Sequence, residues 1–519
     1  MKKDITILIT SDIHGYIFPT HYRDRSDQPL GLAKLATYIK KKRSAGNVLL
    51  LDNGDLIQGS PLTYYHSKYH RDTENPVIKV ANALGYHSAV FGNHEFNYGL
   101  DYLRSVVEQS EFPWLSANVI NEQTGKPAYG KPYRIHEIEG VKIAVLGITT
   151  HFVPNWEDPN HIKGLKFGDA LETAKVWVAK IRKEENPDVM VVSYHGGFER
   201  DLDTGEPTER LTRENQGYQM CQEIKGLDIL ITGHQHRSLA GKVNGVTIVQ
   251  PSNHGQKLGE IQISLFQEGD RYKIDSSSSQ LIEVANLTTN KDLQELIADF
   301  EDQTQQWLDT PIGEVEGDLS ITDPLETRLK DTPFIEFINK VQMDATGVDI
   351  SNTSLFNNDS PGFGQKVTMR DIVSNYVYPN TLSVIRITGQ DVKDALEQSA
   401  SYFNVVDGKI TVNPSFMEPK PQHYNYDMWE GIEYELNVSN PVGERVTKLN
   451  YQGQSIDENK EYEVVMNNYR AGGAGNFDMY IGKPLVKEIP IDMTELIANY
   501  LLDRKTIQAT CNHNWKVVQ

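Results

Sequence analysis

Short apolar runs rich in β-branched residues recur through the first half of the chain, and each ends where polar residues begin. Runs of this length and composition predict buried β-strands. Between them lie segments with the apolar spacing of amphipathic helices, such as residues 30–43 and 171–183. Strands that alternate with helices predict a layered α/β domain. The predicted strands include residues 5–10, 48–51, 88–91, 141–147, 188–193 and 227–231.

Most of these predicted strands are followed at once by side chains that can bind a metal ion. The carboxyl ends of strands are where open α/β sheets bind their ligands. A single Asp after a strand is usually a turn or cap residue, but repetition at successive strands favours one shared site. The residues concerned are Asp12, His14, Asp55, Asn93, His94, His195, His234 and His236.

The chemistry of these side chains indicates the kind of metal and the kind of reaction. Imidazole, carboxylate and amide donors are present without a thiolate, a set that suits Mn²⁺, Zn²⁺, Fe or Mg²⁺ better than a structural zinc site. Two metal ions about 3.5–4 Å apart are a common device for hydrolysing phosphate esters. The sequence therefore predicts an enzyme with two divalent metal ions. Manganese is favoured among the four candidate metals.

Charge and hydropathy exclude several classes of partner. The chain has 519 residues and a net charge of −20, from 71 acidic and 51 basic residues. Duplex DNA and anionic membranes favour basic surfaces, so a small-molecule substrate is expected rather than a nucleic-acid polymer or a membrane. No apolar run approaches the roughly 18 residues of a membrane span. No signal-like apolar segment is present either, so we expect a cytoplasmic location.

The cysteine content adds no predicted site. Cys221 and Cys511 are far apart in the sequence. They form no evident metal or redox pattern, and a disulfide framework is not expected. Cys221 lies in a segment that predicts a helix, where a buried thiol is the usual outcome.

The polar blocks match a known family in residue type and in order along the chain. They resemble those of the calcineurin-like metallophosphoesterases, which implies a four-layer α/β/β/α catalytic domain. The matching blocks are Asp12-x-His14, Gly54-Asp55, Gly92-Asn93-His94-Glu95, His195-Gly196 and Gly233-His234-x-His236.

The resemblance also implies a role for each block. One metal ion would be held by Asp12, His14, Asp55 and His236, and the other by Asp55, Asn93, His195 and His234. Asp55 would bridge the two ions. His94 would bind neither ion but would stabilise the transition state or protonate the departing oxygen, a task suited to a group with a pKa near neutrality.

Asn97 separates two branches of the family. The 5′-nucleotidase branch has an Asp at this position, paired with the histidine that corresponds to His94. Residues 92–100 instead resemble the 2′,3′-cyclic-nucleotide 2′-phosphodiesterase/3′-nucleotidase branch, as do residues 53–61. This implies hydrolysis of 2′,3′-cyclic nucleotides to 3′-nucleotides, and onward to nucleosides. Among enzymes, the alternative is a 5′-nucleotidase or nucleotide-sugar hydrolase. Among proteins without catalytic activity, the alternative is an inactive nucleotide-binding or sensor protein.

The C-terminal half resembles the 5′-nucleotidase C-terminal domain, a smaller mixed α/β substrate-binding domain. Residues 378–382 and 467–473 carry this resemblance. We predict a catalytic domain over residues 1–285, a connecting helix and hinge over 286–316, and the substrate-binding domain over 317–519. The family places the nucleotide base between two aromatic rings. The candidates here are Tyr469 and one of Tyr424 or Tyr426, of which Tyr424 is favoured.

Overall fold

The fold is described from a computed structural model, which places residues 2–209, 211–378, 380–418, 420–489 and 491–519. Pro379, in the segment 378–382, lies outside the described residues. The chain divides into two compact units. The first unit comprises Met1–Pro154 and Pro159–Thr304, and the second comprises Asn155–Asp158 and Gln305–Gln519. The division at residue 304 falls within the predicted connecting segment.

The first unit alternates strands and helices, with paired strands at its end. Its strands are β1 (Lys2–Thr10), β2 (Val48–Asp52), β3 (Ser88–Val90), β4 (Trp114–Leu115), β5 (Val119–Asn121), β6 (Tyr133–Ile138), β7 (Val141–Thr149), β8 (Leu165–Phe167), β9 (Val189–His195), β10 (Ile229–Ile231), β11 (Ser238–Val243), β12 (Val246–Pro251), β13 (Lys257–Glu268) and β14 (Arg271–Glu283). Its helices are α1 (Leu32–Ala45), α2 (Pro61–Tyr69), α3 (Pro76–Leu84), α4 (Leu100–Gln109), α5 (Ala170–Glu184), α6 (Gly217–Glu223) and α7 (Lys291–Leu296), and α8 (Ala298–Leu308) crosses into the second unit.

Two six-stranded sheets form the centre of the first unit. Their strand orders are β14-β13-β1-β2-β3-β4 and β11-β12-β10-β9-β7-β6. In the first sheet β1, β2, β3 and β4 run parallel, and in the second β7, β9, β10 and β12 run parallel. The carboxyl ends of the parallel strands in each sheet therefore open onto loops at one edge of that sheet.

An apolar layer fills the space between the two sheets. Alternate residues of β1, among them Ile7, pack with residues of the second sheet such as Ile143 and Val191, and all three are fully buried. The opposite face of the second sheet is covered by α5 and α6, which share a second apolar cluster with it. The predicted four-layer α/β/β/α arrangement is confirmed.

Two sequence-based expectations for this unit are wrong in detail. The apolar patterns of residues 246–250 and 259–265 predict two strands that pair in one sheet, but β12 pairs with β10 and β11, whereas β13 pairs with β1 and β14. Left-handed backbone at Ser252, His254 and Gly255 turns the chain between the sheets. The apolar spacing of residues 292–308 predicts one connecting helix, but that helix is interrupted at Ile297, where φ is −130°.

The second unit is a mixed α/β domain with several small sheets. Its strands are β15 (Pro311–Glu316), β16 (Leu319–Ser320), β17 (Ile350–Ser354), β18 (Gly362–Phe363), β19 (Lys366–Thr368), β20 (Leu382–Thr388), β21 (Phe403–Val406), β22 (Lys409–Val412), β23 (Asp427–Glu430), β24 (Glu433–Asn437), β25 (Val446–Tyr451), β26 (Gln454–Ser455), β27 (Glu461–Asn467), β28 (Leu485–Ile489), β29 (Thr506–Gln508) and β30 (Trp515–Val518). Its helices are α9 (Pro324–Leu329), α10 (Pro333–Thr346), α11 (Met369–Asn375), α12 (Gly389–Ala400), α13 (Asn468–Ala471) and α14 (Met493–Arg504).

The largest sheet of the second unit has the order β23-β17-β27-β20-β28, and a four-stranded sheet has the order β26-β25-β24-β30. Helix α12 begins with a capping box between Thr388 and Asp391, which satisfies backbone N–H groups of its first turn. One continuous apolar core links these elements. Among the residues that the structure describes, no helix has the length and apolar character needed to cross a membrane.

The layer between the two sheets predicts a large effect of truncating Ile143, which is fully buried there. Ile143→Ala should lower the free energy of unfolding of the first unit by about 2–5 kcal/mol, because it removes buried methyl groups and leaves a cavity. Ile143→Val should cost only about 0.5–1.5 kcal/mol. Urea denaturation followed by circular dichroism measures both values. Equal stability of the two variants would contradict tight packing between the sheets.

Candidate metal centre

The first donor group consists of Asp12, His14 and His236. Asp12 and His14 follow β1, and His236 follows β10. One ligand atom from each residue lies within 4.8 Å of the other two. The two Nε2 atoms of His14 and His236 are 3.2 Å apart, and Nε2 of His236 is 3.5 Å from Oδ1 of Asp12. The structure therefore brings together residues that are far apart in the sequence, since 222 positions separate the two histidines.

The second donor group consists of Asp55, His195 and His234, whose ligand atoms also lie within 4.8 Å of one another. Asn93 belongs beside this group. Its Oδ1 is 3.2 Å from Nε2 of His195 and 2.9 Å from Nδ1 of His234. Carboxylate, imidazole and amide donors thus converge in the combination expected from the sequence.

Asp55 lies between the two donor groups. Its Oδ2 is 3.1 Å from Nε2 of His195 and 3.9 Å from Nε2 of His14. Burial alone would raise the pKa of Asp55, but the nearby rings of His195 and His94 hold it well below its ordinary value. Asp55 therefore remains a carboxylate that faces both groups, which is the position of a bridging ligand.

The hydrogen bonds of the histidines show that these residues fit a cation. Nδ1 of His14 lies 2.8 Å from the carbonyl oxygen of Gln58, and Nδ1 of His195 lies 2.7 Å from that of Asn53. A carbonyl can only accept, so each Nδ1 carries the proton. In neutral rings Nε2 then presents its lone pair to the centre, as a metal ligand must.

The electrostatics of the two rings lead to the same conclusion. Burial lowers the pKa of His14 to about 4, so this ring is neutral at physiological pH. Burial also disfavours a charged His195, but Asp55 outweighs it and raises the pKa of His195 to about 10. Positive charge is therefore favoured between Asp55 and His195. A divalent cation supplies that charge and frees the His195 lone pair to act as a ligand.

Unusual backbone conformations are concentrated at the metal centre. A non-glycine residue with positive φ is uncommon, and such residues often cluster at functional sites. Gly92 adds a further constraint, because a Cβ atom there would overlap with the Asp55 carboxylate. The ligand-bearing residues with left-handed backbone are Asp12, His14, Asp55, His234 and His236.

His94 lies beside the donor groups but belongs to neither. Its backbone N–H donates to Oδ1 of Asp55 at 2.8 Å, and its ring centroid is 5.2 Å from that of His14. Nδ1 of His94 is 2.6 Å from Oδ1 of Asn97. The amide oxygen accepts the Nδ1 proton, so Nε2 is left for proton exchange.

The predicted aromatic pair lies in the second unit. The rings of Tyr424 and Tyr469 are half-buried, with centroids 6.4 Å apart and planes at 80°. They meet edge to face rather than as two parallel faces. Tyr378, which lies in the segment matched to the family, continues this group, with its ring 6.4 Å from that of Tyr424. Tyr426 is fully buried and donates to the carbonyl of Arg328, so it is a core residue.

Comparison with known proteins gives the same assignment for both halves of the chain. The family model for calcineurin-like phosphoesterases matches residues 5–238, and that for the 5′-nucleotidase C-terminal domain matches residues 311–481. A crystal structure of a protein assigned as a 5′-nucleotidase from Staphylococcus aureus, in complex with α-ketoglutarate, is 35% identical. It covers 100% of both chains with a TM-score of 0.91. The chain belongs to the calcineurin-like phosphoesterase family.

Two curated relatives align with nearly the whole phosphoesterase. The 2′,3′-cyclic-nucleotide 2′-phosphodiesterase/3′-nucleotidase of Yersinia enterocolitica is 28% identical over 99% of this chain and 88% of the relative. The trifunctional nucleotide phosphoesterase YfkN of Bacillus subtilis is 28% identical over 99% of this chain. The chain spans 39% of the length of YfkN. The phosphoesterase is an enzyme of a family that uses divalent metal ions, and its two donor groups can bind them.

Glu95 lies in the matched Gly-Asn-His-Glu block, but its role could not be predicted from the sequence. Glu95 is fully buried. Its carboxylate accepts from the backbone N–H groups of Asp55 at 2.9 Å, Leu56 at 2.7 Å and Gly92 at 2.5 Å. Burial, and then the charge of Asp55, raise the pKa of Glu95 to about 7. Glu95 therefore fixes the loops that carry Asp55 and Asn93.

Glu214 was also missed, because no predicted strand end or motif marks it. Its Oε1 lies 2.8 Å from Nε2 of His234. The carboxylate accepts the Nε2 proton, which directs Nδ1 of His234 toward Asn93 and the metal centre. A carboxylate behind a histidine ligand is a common way to fix its tautomer and orientation.

The contacts of Glu95 predict that Glu95→Gln weakens metal binding. An amide NH₂ group cannot accept from the backbone N–H groups, so the Asp55 loop loses part of its support. Removal of such supporting contacts commonly lowers metal affinity about 10–100-fold. Calorimetric titration of metal-depleted protein with Mn²⁺ measures the change. Glu108→Gln, at an exposed position of α4, is the matched control, and equal affinities of the two variants would contradict the assigned role.

Proposed function

We propose that the phosphoesterase hydrolyses 2′,3′-cyclic nucleotides to 3′-nucleotides, and 3′-nucleotides onward to nucleosides. The observation that carries the proposal is the contact of 2.6 Å between His94 and Asn97. An amide orients the ring of His94 but stabilises its cation less than a carboxylate would. His94 is therefore suited to release its proton to a ribose oxygen. The name of the Yersinia relative supports the same substrate.

Each residue of the site has a task in this reaction. Asp12, His14, Asp55 and His236 would hold one ion, and Asp55, Asn93, His195 and His234 the other. Two bound divalent ions supply a nucleophile at neutral pH and neutralise charge on the phosphoryl oxygens. Nδ1–H of His94 donates a hydrogen bond to Oδ1 of Asn97. The Nε2 proton of the same ring passes to the 2′ oxygen as the P–O bond breaks.

Manganese is the ion that we propose for both positions. The donors are nitrogen and oxygen atoms without sulfur, which suits Mn²⁺ and does not select for Zn²⁺. Half-buried His236 and His234 leave the centre accessible to solvent.

We propose that Tyr469 and Tyr424 bind the base, with Tyr378 beside them. The side chains of Tyr424 and Tyr469 are half-buried, and Tyr378 is 37% exposed. Stacking of a base on an aromatic ring is worth about 1–3 kcal/mol and tolerates all four bases. The acidic chain, with a net charge of −20, favours small nucleotides over nucleic-acid polymers or membranes. The cytoplasmic location stays a prediction.

A 5′-nucleotidase is the second candidate, since the relative from S. aureus carries that assignment at 35% identity. A nucleotide-sugar hydrolase belongs to the same alternative. An inactive nucleotide sensor is less consistent with the site, because both donor groups and His94 are present together. Substrate preference distinguishes the proposed enzyme from the second candidate, and turnover distinguishes both from an inactive sensor.

A substrate panel tests the proposed reaction. With equal enzyme and Mn²⁺, kcat/KM should be highest for 2′,3′-cyclic AMP, lower for 3′-AMP and lowest for 5′-AMP, because residues 92–100 resemble the branch that cleaves at the ribose 2′ and 3′ oxygens. Chromatography of the products and release of phosphate measure the three rates. Protein treated with EDTA is the control and should regain activity with Mn²⁺. A preference for 5′-AMP would contradict the proposal and favour the second candidate.

His94→Ala should abolish turnover without loss of metal. Loss of a general acid typically lowers the rate by about 10²–10⁴-fold, whereas His94 belongs to neither donor group. Kinetics with 2′,3′-cyclic AMP and metal analysis of the same preparation give both values. His136→Ala, on the edge strand β6, is the control. Parallel loss of metal and activity would show that His94 is a ligand instead.

A further inference from the structure

A separate set of metal-binding side chains lies in the second unit. We call Asp331, Cys511 and His513 the C-terminal cluster. Asp331 lies between α9 and α10, and the other two residues lie between β29 and β30. The sequence around Cys511 shows no metal-binding pattern, because Asp331 is 180 positions away. Folding brings a carboxylate, a thiol and an imidazole to one place.

The three donor atoms of the C-terminal cluster lie close enough together for one ion to contact all of them. Sγ of Cys511 is 3.1 Å from Oδ2 of Asp331 and 3.2 Å from Nδ1 of His513. One donor atom from each residue lies within 4.8 Å of the other two. A tetrahedral zinc ion with its usual bond lengths keeps sulfur and nitrogen ligands about 3.5 Å apart. Small side-chain shifts would therefore complete the geometry.

An unsatisfied buried oxygen points to a cation at this position. Asp331 is only 3% exposed. Its Oδ2 accepts from the Cys511 thiol and from the backbone N–H of His513 at 3.0 Å. Its Oδ1 is buried, and none of the described residues gives it a hydrogen bond. Buried carboxylates without such partners are costly unless a charge or a metal ion compensates them.

The surrounding charge has the same sign. Carboxylate oxygens of Asp331, Glu336 and Glu430 lie within 4.8 Å of one another, and all three residues are buried. Lys340 pairs with Glu336, and the side chain of Asn512 donates to Glu430 at 2.6 Å. One lysine beside three carboxylates leaves an excess of negative charge. That field favours a divalent cation next to Asp331.

We propose that Asp331, Cys511 and His513 bind a zinc-type transition metal ion at a site separate from the catalytic centre. Sulfur and imidazole ligands favour Zn²⁺ or Co²⁺ over Mn²⁺ and Mg²⁺. Binding transfers the proton of the Cys511 thiol to solvent, since the thiolate is the ligand. His513 is exposed and Cys511 half-buried, so the ion has an entry path and a fourth position open to water.

The ion would fasten the C-terminal segment to the second unit. Strand β30 pairs with β24, and Trp515 stacks on Tyr434 at 5.5 Å with planes 3° apart. The backbone N–H of Asp331 donates to the carbonyl of Trp515 at 3.3 Å. A metal that joins Asp331 to Cys511 and His513 ties the loop before α10 to the residues that lead into β30. Its role is therefore structural and independent of the reaction.

Cobalt substitution of the full-length protein tests the proposal. A thiolate bound to Co²⁺ gives an intense near-ultraviolet charge-transfer band, whereas the nitrogen and oxygen donors of the catalytic centre give none. At saturation, the intensity of the band in the wild type should correspond to one thiolate-bound Co²⁺ per chain, besides the ions at the catalytic centre. The band should disappear on addition of Zn²⁺. Cys511→Ser should abolish the band, and Cys221→Ala should retain it, since Cys221 is buried in the first unit.

A second variant keeps the test decisive if Cys511→Ser folds poorly. His513 is exposed, so His513→Gln leaves the core intact and should weaken Co²⁺ binding at the thiolate site by at least about tenfold. Hydrolysis of 2′,3′-cyclic AMP by the Mn²⁺-loaded variants checks that they are folded. Absence of the band in cobalt-treated wild type, a band retained in Cys511→Ser, or an unchanged Co²⁺ affinity of the thiolate site in His513→Gln would overturn the proposal.

Discussion

The catalytic half of the molecule depends on the placement of one buried carboxylate, that of Asp55. Its two oxygens have different partners: Oδ1 accepts from the backbone N–H of His94, and Oδ2 faces the rings of His195 and His14. Its own N–H donates to Glu95. Loops from both sheets thus meet at a single side chain. A shift of the sheets relative to each other would pull apart the ligands within each donor group, so tight packing between the sheets is a requirement of the site and not only of stability.

The strand ends could be predicted from sequence because apolar runs and polar termini are both local signals. Asp12, Asp55, Asn93, His195 and His234 follow or end their strands for this reason, and their convergence is what parallel strands in facing sheets produce. The pairing of β12 and β13 with different partners could not be predicted, because an apolar pattern predicts a strand but does not identify the strand it pairs with. Only the left-handed turn between them, at Ser252, His254 and Gly255, sends them into different sheets.

Supporting residues were harder to predict than ligands. Glu95 and Glu214 act through hydrogen bonds to backbone N–H groups and to one imidazole, and these contacts leave no periodic or spacing signal in a sequence. Cys511 is a related case. Its distance of 180 positions from Asp331 hides a contact of 3.1 Å. Local rules thus recover side chains that sit at the ends of secondary structure, whereas contacts made after the chain has folded require the structure itself.

The conformations of the ligand residues show how the fold sustains the site. Asp12, His14, Asp55, His234 and His236 all have positive φ, and each such residue costs on the order of 1–2 kcal/mol relative to ordinary backbone. The strain is offset by the apolar layer between the sheets, where Ile7, Ile143 and Val191 are fully buried. It has a function as well. Left-handed residues turn the chain sharply just after a strand, so a short loop can return a side chain toward the neighbouring sheet. Longer relaxed loops would lower the strain but would leave the donors free to move apart, which weakens a centre that binds divalent ions.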